Sequence, residues 1–392
     1  MYDLIVVGSG FCGSVVSDLA AKKGKRVLVL EKRNHIAGNM YDQWDSNGIL
    51  VQKYGPHIVH TSNERVHDYL LSKGDWFDYT LYYGVDIDGK CLSAPFGFHT
   101  ADHFYDFDRA EALKRQLASC YQGSDSVPIL ELLASGDPDI RSFANMLYEK
   151  NYLPYALKQW RLKPEELQNE IIGRMPIILS DRQNYFTDTY EMLPKKGFSV
   201  FFQGLLNSPN IDVELNIDAT TRLRLDDDKR AILFDGCRIN VPVVYTGTLE
   251  KILLGRVGVL PYRSLRFEYR QFSQPRYQER ALVTYPQRFE YLRTSDYNQL
   301  AELPSASNTT VSFEYPIPYA PLEDYSAEPY YPVLTSESVH KNQELIERAS
   351  RFENFFPCGR LADFRYYNMD QAIERAFEVF NVLCRKYWGD SK

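Results

Sequence analysis

Residues 2–33 read YDLIVVGSGFCGSVVSDLAAKKGKRVLVLEKR. A short apolar run, YDLIVV, leads into a glycine loop. SVVSDLAAKKG then sets its apolar residues on one helical face, and KRVLVLEKR supplies a second apolar run that ends at Glu31. Strand, loop, helix and strand in that order predict a βαβ unit. Gly8, Gly10 and Gly13 fit G-x-G-x-x-G. They permit a tight turn, bring backbone N–H groups close to a pyrophosphate and let the helix pack tightly on the strand. Glu31, at the end of the second strand, is placed to accept hydrogen bonds from an adenosine ribose. The unit is therefore expected to bind a dinucleotide.

The segment after Arg33 bears on which dinucleotide. A unit built only for NAD would continue into another βα repeat. This chain instead enters NHIAGNMYDQW, a Gly-Asn loop with short irregular segments after it, which favours an FAD-type variant. From residue 100 to 180 the pattern is helical, with apolar residues three and four apart, and Asp137-Pro138 marks a helix start. From 240 to 320 it reads as strands, among them SLRFEYRQF, RALVTYP and TVSFEYP. Residues 316–334 are too rich in proline to remain regular for long, and MDQAIERAFEVFNVLCRKYW closes the chain as an amphipathic helix.

The composition limits the rest. The chain has 392 residues, 44% hydrophobic and 25% charged, which is ordinary for a globular protein. A net charge of −7 without a basic stripe gives no sign of nucleic-acid binding. The six cysteines form no C-x-x-C pair, so neither a zinc site nor dithiol redox chemistry is expected. The chain opens directly on MYDLIVVGSG and has no apolar run of spanning length, so a cytoplasmic protein with free thiols and no membrane span is expected. The 29 tyrosines and 22 phenylalanines allow a wide pocket for a ring-bearing ligand as readily as an aromatic core. In YGPHIVHT, residues 54–61, His57 and His60 are three apart. If extended, they point to opposite faces, so they are a poor metal pair, and no further ligand cluster is apparent.

Five separated motifs together resemble the bacterial UDP-galactopyranose mutase family. They are GSGFCG, EKRNHIAGNMYD, YGPHIVHT, YALKQW with QNYFTDTYEMLPKKGF, and CGRLADFRYYNMDQAI, in order from residue 3 to about residue 385. The resemblance implies an α/β fold with a discontinuous FAD-binding, Rossmann-like domain (1–74, 196–248 and 352–392). It adds a helical substrate and dimer domain (100–180) and a twisted antiparallel β-sheet domain (75–99, 181–195 and 249–351), in a homodimer. It implies an isomerase that interconverts pyranose and furanose forms of a nucleotide sugar, by default UDP-galactose, for cell-surface polysaccharide synthesis. In that family N5 of the reduced flavin attacks the anomeric carbon and expels the nucleoside diphosphate.

Residue by residue, the resemblance places Gly8, Gly10, Phe11, Cys12, Gly13, Glu31, Lys32, Asn39, His57, Ile58, Arg360, Asn368, Met369 and Asp370 on FAD, with Asn368 where the family has an acid. Gly55-Pro56 would shape a turn against the flavin, His57 would lie on or beside its ring, and His60 would face the sugar. Tyr155 and Trp160 fit the nucleoside end, with Tyr152 beside them. Tyr185, Arg293, Tyr315 and Tyr366 match groups that hold the diphosphate, with Arg293 as the bidentate clamp. One departure stands out. The family's R-x-P-x-R run appears as RMPII, residues 174–178, so Ile178 replaces an arginine and either Arg182 or Arg174 must supply the charge. At the family's asparagine near the sugar stands Leu81 or Tyr82, and Asn151 precedes Tyr152 where aromatic residues are usual. The substrate contacts have thus changed more than the flavin motifs, which leaves room for a 6-deoxy or otherwise modified sugar on UDP, dTDP or GDP. An amine-oxidase-type flavin oxidoreductase, or a flavoprotein that binds a nucleotide sugar without turning it over, are the alternatives.

Overall fold

Five parallel strands lie side by side in the spatial order Ile211–Glu214, Val27–Leu30, Leu4–Val7, Val243–Tyr245, Phe355–Pro357. The computed structural model describes residues 1–160, 175–253, 259–319 and 328–389. The first two strands of the chain are almost continuously apolar because both faces of this sheet are covered. The helix Phe11–Lys22 packs on one face together with Phe198–Leu206 and the final helix Met369–Leu383. Leu28, Leu30, Val243 and Tyr245 point to the other side, into a core shared with Leu249, Leu345 and Phe352. The strand order reverses between Leu4–Val7 and Val243–Tyr245, and the crevice at such a reversal is where open α/β sheets bind ligands.

A second sheet of seven strands runs Tyr331–Pro332, Tyr262–Phe272, Thr309–Pro318, Arg293–Asp296, Leu282–Thr284, Tyr83–Ile87, Lys90–Ala94. It was expected to be antiparallel. It is mixed, because Leu282–Thr284 pairs with Tyr83–Ile87 in parallel. Opposite residues in paired strands share a face, so the register puts Val85, Thr284, Arg293 and Glu314 in one row. Tyr83 lies on that same face two residues before Val85.

The helices Phe98–Phe104, Phe107–Cys120, Pro138–Leu147 and Leu153–Trp160 enclose a core of Leu113, Phe143, Leu147 and their neighbours. Asp137 starts the third of these as the motif predicts: its carboxylate accepts from the N–H groups of Asp139 and Ile140, and Pro138 fills the first turn. A three-stranded sheet of Val59–Thr61, Tyr190–Pro194 and Trp76–Asp78 joins these parts.

Candidate active site

The carboxyl ends of the five parallel strands surround a cavity of about 590 Å³. The glycine loop forms its floor. Gly8 has φ +95°, and a Cβ there would lie 2.1 Å from Thr246 Oγ1. A Cβ on Gly13 would lie 1.9 Å from the carbonyl oxygen of Gly8, so only glycine lets the helix start this close to the strand. Glu31 is buried at the cavity wall. One of its oxygens accepts from the N–H of Ser9 (2.9 Å) and from Ser9 Oγ (2.7 Å), and the other from the N–H of Arg33 (3.0 Å). These bonds aim a carboxylate that retains lone pairs for further donors.

Opposite the glycine loop, Gly359 has φ +109° and Arg360 lines the cavity with Asn368 and Met369, which begin the final helix. Arg360 donates to the carbonyls of Tyr367 (2.5 Å) and Tyr330 (3.4 Å). Phe11, Cys12, Lys32 and Asn39 also line the cavity. Ile58 does not; it is 5% exposed and belongs to the main core. Asp370 also turns away from the cavity. Its carboxylate accepts from Thr61 Oγ1 (3.2 Å) and the N–H of Gln371 (2.8 Å), which ties the final helix to the end of YGPHIVHT.

His57 lines the cavity as well, held by Gln52. The Gln52 side chain accepts from the His57 N–H (2.5 Å) and donates to the His57 carbonyl (3.2 Å). Its Nδ1 is buried without a hydrogen-bond partner among the described residues. Burial, and then the charge of Arg360, push its pKa down to about 3, so the ring is neutral at physiological pH. A glycine cradle that a Cβ would fill, a carboxylate at the ribose position and an orphaned imidazole nitrogen fit a bound dinucleotide.

Next to this cavity is a cluster of aromatic hydroxyls around one guanidinium. Arg293 forms a two-point ion pair with the buried carboxylate of Glu314, with Nε at 3.1 Å and Nη2 also donating. Burial opposes its charge, yet Glu314 holds its pKa well above the ordinary value. Tyr83, Tyr155, Tyr185, Tyr331 and Tyr366 share this electrostatic environment. Tyr83 stacks on Tyr185 (4.9 Å, 28°) and Tyr331 on Tyr366 (5.4 Å, 18°). Arg360 sits over the rings of both Tyr331 (5.4 Å) and Tyr366 (5.1 Å), which joins the cluster to the dinucleotide cavity. Burial pushes the Tyr185 and Tyr331 hydroxyls upward, so both remain protonated donors.

Several expected site residues lie elsewhere. Tyr315 alternates with Glu314 along its strand and so faces the other side. Its hydroxyl donates to Glu268 (3.3 Å) and Arg266 covers its ring at 4.1 Å. Tyr152 is 4% exposed in the helical core, with its hydroxyl donated to the Met175 carbonyl (2.7 Å). His60 stacks on Phe186 (3.8 Å, 13°) and pairs through Nδ1 with Asp188 (2.7 Å). Phe186 in turn meets Tyr185 edge-on, so His60 supports the Tyr185 loop through Phe186. Arg182 donates through Nη1 to the carbonyls of Asn184 (2.8 Å) and Phe186 (3.0 Å) and so braces its own loop. Ile178 is 7% exposed and bonded through its N–H to Phe96, in the short strand Ile177–Ile178. Leu81 is buried in the main core and Tyr82 is exposed. The Trp160 side chain and Arg174 lie outside the described residues. Tyr83, Glu314 and Tyr331 were not among the expected residues, although strand alternation in FEYP would have separated Glu314 from Tyr315. Among the described residues no group of His, Cys, Asp and Glu could hold a metal ion, and no helix is long and apolar enough to cross a membrane.

A parallel sheet of this order with a glycine cradle at its switch point defines a dinucleotide-binding protein, here with a cluster of tyrosines around Arg293 built against the dinucleotide cavity. Residues 6–71 match the NAD(P)-binding Rossmann-like domain, and residues 150–366 match the UDP-galactopyranose mutase model. The chain belongs to the UDP-galactopyranose mutase family. It is 33% identical to UDP-galactopyranose mutase of Mycoplasma genitalium, across 95% of this chain and 92% of that protein. It is 27% identical to dTDP-fucopyranose mutase of Escherichia coli, across 98% and 99%. A crystal structure of reduced UDP-galactopyranose mutase superposes with a TM-score of 0.67 at 14% identity, covering 99% of this chain and 95% of that one. Putrescine oxidase bound to putrescine gives 0.57 at 12% identity, covering 98% and 99%, a likeness of fold.

Proposed function

We propose that this chain is an isomerase that interconverts the pyranose and furanose forms of a nucleotide sugar, with reduced FAD as its resident cofactor. The observation that carries the proposal is the junction at Arg360, which lines the dinucleotide cavity and also covers Tyr331 and Tyr366 of the Arg293 cluster. A flavin and a diphosphate would thus meet at one wall. When bound, the reduced flavin supplies the nucleophile for the anomeric carbon.

The protein supplies position and charge. Glu31 would accept from the ribose, the N–H groups of the Gly8–Gly13 loop would face the pyrophosphate, and Arg360 with the N-terminus of the final helix would add positive potential. Neutral His57 would offer Nδ1 to the flavin without adding charge. Arg293 would hold the departing diphosphate, and Tyr185, Tyr331 and Tyr366 would donate to its oxygens while Tyr155 borders the nucleoside end. The anomeric C–O bond breaks and re-forms, and the ring oxygen changes, so no atoms or electrons are gained or lost. The family also supports a homodimer.

UDP-galactose is the default substrate. A 6-deoxy sugar on dTDP is the nearest competitor, because the E. coli relative is named for dTDP-fucopyranose. Dithionite-reduced enzyme should convert at least one sugar in a panel on UDP, dTDP and GDP, followed by chromatography. If no member of the panel isomerises, the proposal fails. Stoichiometric oxidation of a substrate by the oxidised enzyme would instead favour the oxidoreductase reading.

A further inference from the structure

We propose that Tyr83 is a further substrate-holding residue that donates its hydroxyl to the diphosphate beside Arg293. The inference rests on the proposed function and concerns how the described residues hold a doubly charged group with so little positive charge of their own. Arg293 is already paired with Glu314. Ile178 offers no charge and is buried in its short strand. Arg182 and Arg360 both spend donors on backbone carbonyls. Among the described residues, hydroxyl donors are therefore left to carry part of the load, and a neutral donor costs less to bury than a second unpaired cation.

Among the hydroxyls of the cluster, that of Tyr83 is in contact with the residue directly opposite Arg293. Tyr83 lies on the same sheet face as Arg293, and its ring is held flat against Tyr185. Thr284, directly opposite Arg293, places its Oγ1 3.2 Å from the Tyr83 hydroxyl and 3.4 Å from the Gly84 carbonyl, so its single proton is shared between two acceptors. When the Thr284 proton turns from the Gly84 carbonyl to the Tyr83 oxygen, Tyr83 is free to give its own proton to an acceptor on the Arg293 side. The ring stack and the Thr284 contact fix the position of the Tyr83 hydroxyl before any ligand arrives, which is the preorganisation a leaving diphosphate needs.

The test is binding of UDP and dTDP, and of UMP and dTMP, to the flavin-loaded enzyme by calorimetry. Tyr83→Phe keeps the ring and its stack but removes the donor. It should weaken the diphosphate that the wild type binds on the order of tenfold and the monophosphate less, with the flavin spectrum unchanged. Equal diphosphate affinity in wild type and Tyr83→Phe would overturn the assignment of Tyr83. A wild type that binds neither diphosphate would count against the proposed function instead. Thr284→Val provides the second variant: it should reproduce part of the loss, and an unchanged affinity there would show that Thr284 does not orient Tyr83.

Discussion

Arg293 and Glu314 face each other on paired strands, and the carboxylate takes two hydrogen bonds from the guanidinium. The pair fixes the plane of the Arg293 guanidinium within the tyrosine cluster. Lysine can keep the charge but not the fork. Arg293→Lys should therefore lower kcat/KM by about a hundredfold and leave the bound flavin spectrum unchanged. Arg293→Ala should also destabilise the fold by roughly 3–5 kcal/mol, because it strands a buried carboxylate. Steady-state kinetics and urea unfolding check the two effects separately.

Gly13 leaves no room for a side chain, since a Cβ would sit 1.9 Å from the Gly8 carbonyl oxygen. Gly13→Ala should push the first helix away from the strand and abolish flavin retention after gel filtration. Gly136→Ala, where nothing lies within 4 Å, is the control and should purify with full flavin content.

His57 has its pKa lowered from 6.5 to about 3. Between those values the unfolded chain takes up a proton that the folded chain refuses, so stability falls as the pH drops from 6.5 toward 3. His57→Gln removes that term. Unfolding midpoints at about pH 7 and about pH 4.5 should show a smaller acid loss in the variant, by about 2 kcal/mol.

Glu250 behaves in the opposite way. Burial raises its carboxyl from 4.5 to about 7. The folded chain therefore holds a proton that the unfolded chain releases, and stability is lost as the pH rises from 4.5 through 7. Glu250→Gln should stabilise the protein by about 2 kcal/mol near pH 8 and change little near pH 4.5, as read from thermal unfolding.

The dinucleotide cradle could be read from the sequence because each of its parts is local. Gly8, Gly10, Gly13 and Glu31 lie within one βαβ unit, and the chemistry of the turn demands those residue types. The tyrosine cluster around Arg293 could not be read in the same way. Tyr83, Arg293, Glu314 and Tyr331 come together only through the register of the seven-stranded sheet, which includes a parallel pair that nothing local announces. Tyr315 shows the cost of choosing by residue type: one step along the strand turned it to the far face. Tyr152 shows another. Its aromatic ring suits a nucleoside, yet its hydroxyl is held by Met175 inside the helical core. The two histidines do point to different places, as their spacing implies: His57 to the dinucleotide cavity and His60 to Phe186 and Asp188.

The central claim is redox-neutral turnover on reduced flavin, and it is tested most directly by counting. Enzyme reduced with dithionite under nitrogen is given an excess of the nucleotide sugar it accepts, while absorbance follows the flavin and chromatography follows the sugar. The account predicts many furanose or pyranose products per flavin with the flavin still reduced at the end. Product limited to one per flavin, or reoxidation of the flavin in step with product, would contradict it.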